Sequence, residues 1–98
     1  MTSITVVELK QRLQKTPAPK IIDVRSPEEF NGMAIPGAIN IPTGQVLQRR
    51  AEFVSPEPVY IICQSGTRSR LVTLTLRAQG VVNLVNVAGG MNAWIQLV

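Results

Sequence analysis

The chain has 98 residues, 45% of them hydrophobic and 16% charged, which suits one folded domain with one core and excludes a disordered chain. A single cysteine excludes an internal disulfide, and the lack of any histidine excludes Cys-His and Ser-His nucleophile pairs and histidine metal ligands. The formal charge of +4 comes from scattered basic residues with only 4% aromatics, so it reads as a solvated surface and not as a nucleic-acid patch.

The N-terminal stretch lacks the basic start, apolar middle and small-residue cleavage site of a signal peptide. No apolar run approaches the ~20 residues of a membrane span. Together these predict a cytoplasmic protein without membrane contact. Ile4 is expected in a short opening strand, and Thr5 caps a helix whose Val6, Leu9 and Leu13 share one face. Pro17 and Pro19 end that helix, and Ile21 to Val24 reads as a buried strand. Ser26-Pro27-Glu28-Glu29 is a strong helix start: a serine cap, a proline in the first helical position, and acids at the positive end of the dipole. That helix must be brief, because Gly32, Pro36 and Gly37 follow. Ala38 to Ile41 is the next short strand, and Gln45 to Phe53 is predicted helical, with Arg49-Arg50 on a solvated face.

Val59 to Ile62 is the clearest buried strand. Ser69 to Gln79 follows at helical spacing, with Leu71, Leu74 and Ala78 on one stripe and Gly80 as its stop. Val81 to Val87 gives a last strand and Met91 to Leu97 a final helix, on which Trp94 belongs to the core. Alternating strands and helices define an α/β fold with a mainly parallel sheet of five strands. No linker divides residues 1–98, so a single domain is expected.

The chemistry concentrates where the strand Val59 to Ile62 runs into Cys63-Gln64-Ser65-Gly66-Thr67-Arg68. A cysteine closing an apolar strand is ordinarily a small buried hydrophobe. Here a polar, glycine-containing loop and a helix start follow it, and ligands of parallel sheets bind beyond the carboxyl ends of strands. Loop N–H groups, the helix dipole and Arg68 all favour a negative sulfur, so a thiolate nucleophile forms without a histidine base. Gly66 supplies the positive φ that a tight ring requires.

The segment from Cys63 to Ser69 resembles the active-site loop of rhodanese-like domains. Asp23-Val24-Arg25-Ser26-Pro27-Glu28-Glu29-Phe30 resembles the family's Asp-x-Arg segment, and Ile35-Pro36-Gly37 its proline-glycine segment. Gly89-Gly90-Met91-Asn92-Ala93-Trp94 matches its closing Gly-Gly-x-x-x-Trp motif. The chain has Met33-Ala34 where family members often carry Gly-His, which removes a polar group near the surface.

The resemblance implies a rhodanese-like three-layer α/β/α fold and a sulfurtransferase without cofactor or metal. Cys63 would attack the outer sulfur of thiosulfate or a persulfide donor, become a persulfide, and pass the sulfur to a thiol or protein acceptor. Gln64, Ser65, Gly66, Thr67 and Arg68 would bind the anion. Asp23 and Arg25 would support the site, with Asp23 accepting loop N–H bonds and Arg25 free to pair with Glu29 four residues on. A sulfur-relay or interaction module with little turnover on free thiosulfate is the alternative. Rhodanese-fold phosphatases carry Cys-x5-Arg loops, whereas the arginine here closes Cys-x4-Arg, which disfavours that activity.

Overall fold

The computed structural model describes residues 2–97. Five strands, β1 (Ser3–Ile4), β2 (Lys20–Asp23), β3 (Ile39–Asn40), β4 (Val59–Ile62) and β5 (Leu84–Val87), form one sheet in the order β1-β5-β4-β2-β3. Every pairing is parallel, with Ile22 beside Ile61 and Tyr60 beside Val85 marking the central register. The helices are α1 (Val6–Arg12), α2 (Pro27–Gly32), α3 (Thr67–Ala78) and α4 (Gly90–Ile95).

Side chains alternate along the strands, so each strand feeds two cores. Ile22, Val59, Ile61, Cys63 and Leu84 meet Val72 and Leu76 of α3 on one face. Ile21, Tyr60, Ile62, Val85 and Val87 meet Val6 and Leu9 of α1 and Met91 and Trp94 of α4 on the other. This is the three-layer α/β/α arrangement anticipated from the sequence. Both early caps form as full capping boxes: Thr5 with Glu8 on α1, and Ser26 with Glu29 on α2. No helix among the described residues is long and apolar enough to cross a membrane.

Three expectations need correction. Residues Gln45 to Phe53 are not one helix but two 3-10 turns, Thr43–Gln45 and Arg50–Phe53. Val46 and Phe53 are its buried anchors, seven residues apart, and the positions between them that would share their helical face, Arg49 and Arg50, are charged and offer no stripe to propagate a helix. The last strand starts at Leu84 instead of Val81, because Asn83 takes a left-handed φ of 66° and residues 81–83 stay in the irregular connection after the turn at 79–80.

The third concerns α3. It begins at Thr67, two residues early, since Gly66 already caps it at φ 99°. Its buried stripe is Ser69, Val72, Thr73 and Leu76; Leu71 is 65% exposed and Leu74 45%. Two polar residues therefore occupy the inward face. Thr73 satisfies its hydroxyl on the Ser69 carbonyl at 2.8 Å, and Ser69 is turned toward Cys63. The helix is rotated by the loop that precedes it, not by its leucines.

Candidate active site

Cys63 stands at the carboxyl end of β4, the middle strand of the sheet, on the α3 side. Its sulfur lies 3.0 Å from the Gly66 amide nitrogen, which donates to it, and 3.3 Å from the Ser69 hydroxyl oxygen. Burial pushes the thiol pKa up. The Ser69 hydroxyl, together with the N–H groups of Ser69, Gly66 and Ser65, more than offsets this and holds it below its ordinary value. Cys63 has 0% solvent exposure.

The amides face the sulfur because α4 holds the opposite edge of the loop. The N–H groups of Met91 and Asn92 bond the carbonyls of Cys63 (2.8 Å) and Gln64 (2.9 Å), turning those oxygens away from the sulfur. Gly90, at φ 54°, makes this approach possible: a Cβ there would collide with the Cys63 carbonyl. The Gly-Gly pair read from the sequence thus builds the site from the far side.

The remaining loop residues divide by task. Gln64 spans the site, its amide donating to Asn92 Oδ1 (2.7 Å) and its carbonyl oxygen accepting from Arg25 (3.1 Å). Ser65 and Thr67 lie at the exposed rim, their hydroxyls 3.3 Å apart. Arg68 makes two bonds to the Glu29 carboxylate, at 2.8 and 2.9 Å. Glu29 raises the guanidinium pKa above its ordinary value despite partial burial, and Cys63 and Asp23 add smaller contributions.

Asp23 and Arg25 behave otherwise than anticipated. Asp23 accepts from the guanidinium and backbone N–H of Arg25, not from the Cys63 loop. Arg25 does not pair with Glu29, because it precedes α2 and lacks the helical spacing that would bring them together. It instead bonds Asp23 at 2.8 Å, the Met33 carbonyl at 2.6 Å and Gln64, tying the β2–α2 segment to the loop.

Sequence reasoning missed Ser69 and Asn86. Ser69 Oγ lies 2.6 Å from Asn86 Oδ1 and 3.1 Å from the Gly66 carbonyl, the two acceptors open to its proton, and it accepts from the Cys63 thiol at 3.3 Å. A signal was present: Asn86 is the one polar residue in the buried strand Leu84-Val85-Asn86-Val87. Among the described residues, no cluster of three or more His, Cys, Asp or Glu could hold a metal ion.

A strand-end cysteine, ringed by amides and followed by a helix, on an all-parallel three-layer sheet defines the rhodanese class of α/β domain. The chain belongs to the rhodanese-like domain family, whose family model matches residues 5–97. A rhodanese-like domain protein of Staphylococcus aureus superposes with a TM-score of 0.89 at 41% identity, covering 96% of this chain and 91% of that one. A sulfurtransferase of Allochromatium vinosum is 35% identical, over 88% of this chain and 80% of its own. YrkF of Bacillus subtilis, named as a candidate sulfur carrier, is 37% identical over 93% of this chain. The chain spans about half of YrkF, 49% of its length.

Proposed function

We propose that this domain transfers sulfane sulfur through a persulfide on Cys63, taking it from thiosulfate or a persulfide donor and giving it to a thiophilic acceptor. The observation that carries this is the sulfur's surroundings: the Gly66 amide at 3.0 Å and the Ser69 hydroxyl at 3.3 Å, inside a loop whose carbonyls are tied outward. Such a ring favours a thiolate before reaction and a persulfide anion after it. The thiolate attacks the donor's outer sulfur, a new S–S bond forms on Cys63, and the donor's S–S electron pair leaves with sulfite or a thiolate. An acceptor thiolate or cyanide then removes that sulfur and returns the Cys63 thiolate. The sulfurtransferase and sulfur-carrier names of relatives agree with this reading. A lone reactive thiol also suits a reducing compartment such as the cytoplasm.

Burial of Cys63 and the likeness to YrkF favour a second reading within the same chemistry. In it, sulfur arrives from and leaves to protein partners, with little turnover on free thiosulfate.

Incubation with thiosulfate or glutathione persulfide, followed by intact mass spectrometry, is the test. The protein gains one sulfur atom at Cys63, cyanide releases it, and Cys63→Ser gains none. Failure of both donors to load Cys63 overturns the reading, as does an equal adduct on Cys63→Ser.

A further inference from the structure

The two arginines beside Cys63 are both matched by carboxylates, and this bears on which donors the site accepts. Arg25 is 3% exposed and commits its Nε and Nη2 to Asp23, a second Nη2 bond to the Met33 carbonyl, and Nη1 to Gln64. Arg68 is the accessible one, with its side chain 41% exposed, yet its two terminal nitrogens bond the two oxygens of Glu29. The Glu29 carboxylate is itself anchored, because the Ser26 N–H donates to its Oε1 at 3.0 Å in the capping box of α2. Arg68 and the Ser26 backbone hold its carboxyl down to about 2, so it stays ionised across the physiological range.

The two donor classes place different demands on this arrangement. With thiosulfate, the Cys63 thiolate must approach a dianion, and the electron pair of the broken S–S bond leaves on sulfite, another dianion. That step needs an uncompensated cation at the mouth of the site. With a persulfide R–S–SH, the thiolate attacks the terminal sulfur and the S–S electron pair leaves on the donor's inner sulfur as a thiolate, which takes a proton from solvent. Only a single negative charge moves, and the loop amides and the Ser69 hydroxyl already face it.

We propose that Glu29 is a specificity-determining residue: by engaging Arg68 through both carboxylate oxygens, it turns the site away from sulfur-oxyanion donors and toward sulfur carried as a persulfide on a thiol. This rests on the Cys63-persulfide reading above. Glu29 acts through Arg68, which it bonds through both oxygens, and is a positioning residue.

The test is the rate of Cys63 persulfide formation, followed by rapid quench and intact mass, with thiosulfate and with glutathione persulfide as alternative donors. The wild-type protein favours glutathione persulfide by about fivefold or more, the scale of one half-exposed charge contact. Glu29→Gln keeps an oxygen for the Ser26 N–H but removes the charge. It raises the thiosulfate-to-persulfide rate ratio by about fivefold, and Arg68→Ala added to it abolishes that gain. Thermal unfolding confirms that the variants are folded.

Equal wild-type rates with the two donors overturn the proposal without any variant. An unchanged ratio in folded Glu29→Gln, or a gain that survives loss of Arg68, overturns it too. In all three cases Cys63 still carries sulfur, and the reading beneath the proposal stands. Failure of both donors to load Cys63 removes both.

Discussion

The two arginine–carboxylate pairs beside Cys63 share chemistry and differ in burial. Asp23 and Arg25 are 0% and 3% exposed, whereas Glu29 and Arg68 keep 33% and 41% of their side chains in solvent. In the dry pair each charge needs the other, and the guanidinium's spare N–H groups are taken by Met33 and Gln64. In the wet pair water screens both charges, so little stability depends on it. The difference assigns their tasks. The buried pair fixes where the Cys63 loop sits, and the half-exposed pair governs what charge the loop presents to an arriving molecule.

The sharpest way to break that division is Asp23→Ala. It strands a buried guanidinium and is expected to cost about 3–5 kcal/mol, a large share of the ~5–15 kcal/mol that holds a domain together. Urea unfolding at neutral pH measures it. The same experiment on Arg68→Ala gives the reference, and a loss for Asp23→Ala no greater than that of Arg68→Ala would erase the distinction.

The sequence exposed the parts of this architecture that obey local rules. Thr5 and Ser26 were legible as caps because a capping box lies within four consecutive residues. The strand before Cys63 was legible because Val59-Tyr60-Ile61-Ile62 is apolar on both faces of a buried sheet. Contacts between distant segments were not legible. Even a nearby pairing was ambiguous where no helix fixes the spacing: Arg25 lies between β2 and α2, so its choice of Asp23 over Glu29 depends on where α2 begins relative to β2. Leu71 and Leu74 looked like a core stripe because apolar residues usually face inward. The loop instead rotates α3 until Ser69 covers the sulfur, and Thr73 follows it inward. The Gly89-Gly90 pair was visible as a motif, but its work on the Cys63 and Gln64 carbonyls exists only in three dimensions.

Ser69 extends the comparison to the sulfur itself. The thiol is held low by a hydroxyl and amides, while Arg68 faces Glu29. Because the thiolate is the reacting form, loading of Cys63 rises with pH and levels off below the ordinary thiol range of ~8.5. Ser69→Ala removes the hydroxyl, moves that midpoint upward, and slows loading at neutral pH by roughly tenfold, the effect of one lost charge-assisted hydrogen bond. The ultraviolet absorbance of the thiolate across a pH titration reads the midpoint directly. An unmoved midpoint would return the credit to the amides alone.

The smallest expected effect is the stability contributed by the exposed pair, and its pH dependence is diagnostic. Glu29 titrates at about 2 in the folded chain against an ordinary value of 4.5. A depressed carboxyl stabilises the fold fully above the unfolded value and loses that contribution as pH falls through the folded one. The difference in unfolding free energy between wild type and Arg68→Ala should therefore stay flat, at no more than about 1 kcal/mol, from neutral pH down to the ordinary carboxyl range. Below 4.5 it should shrink, vanishing once Glu29 is protonated near 2. A loss that is large at neutral pH, or that persists in acid, would mean that Arg68 holds the loop itself. The exposed pair would then join Asp23 and Arg25 as scaffold.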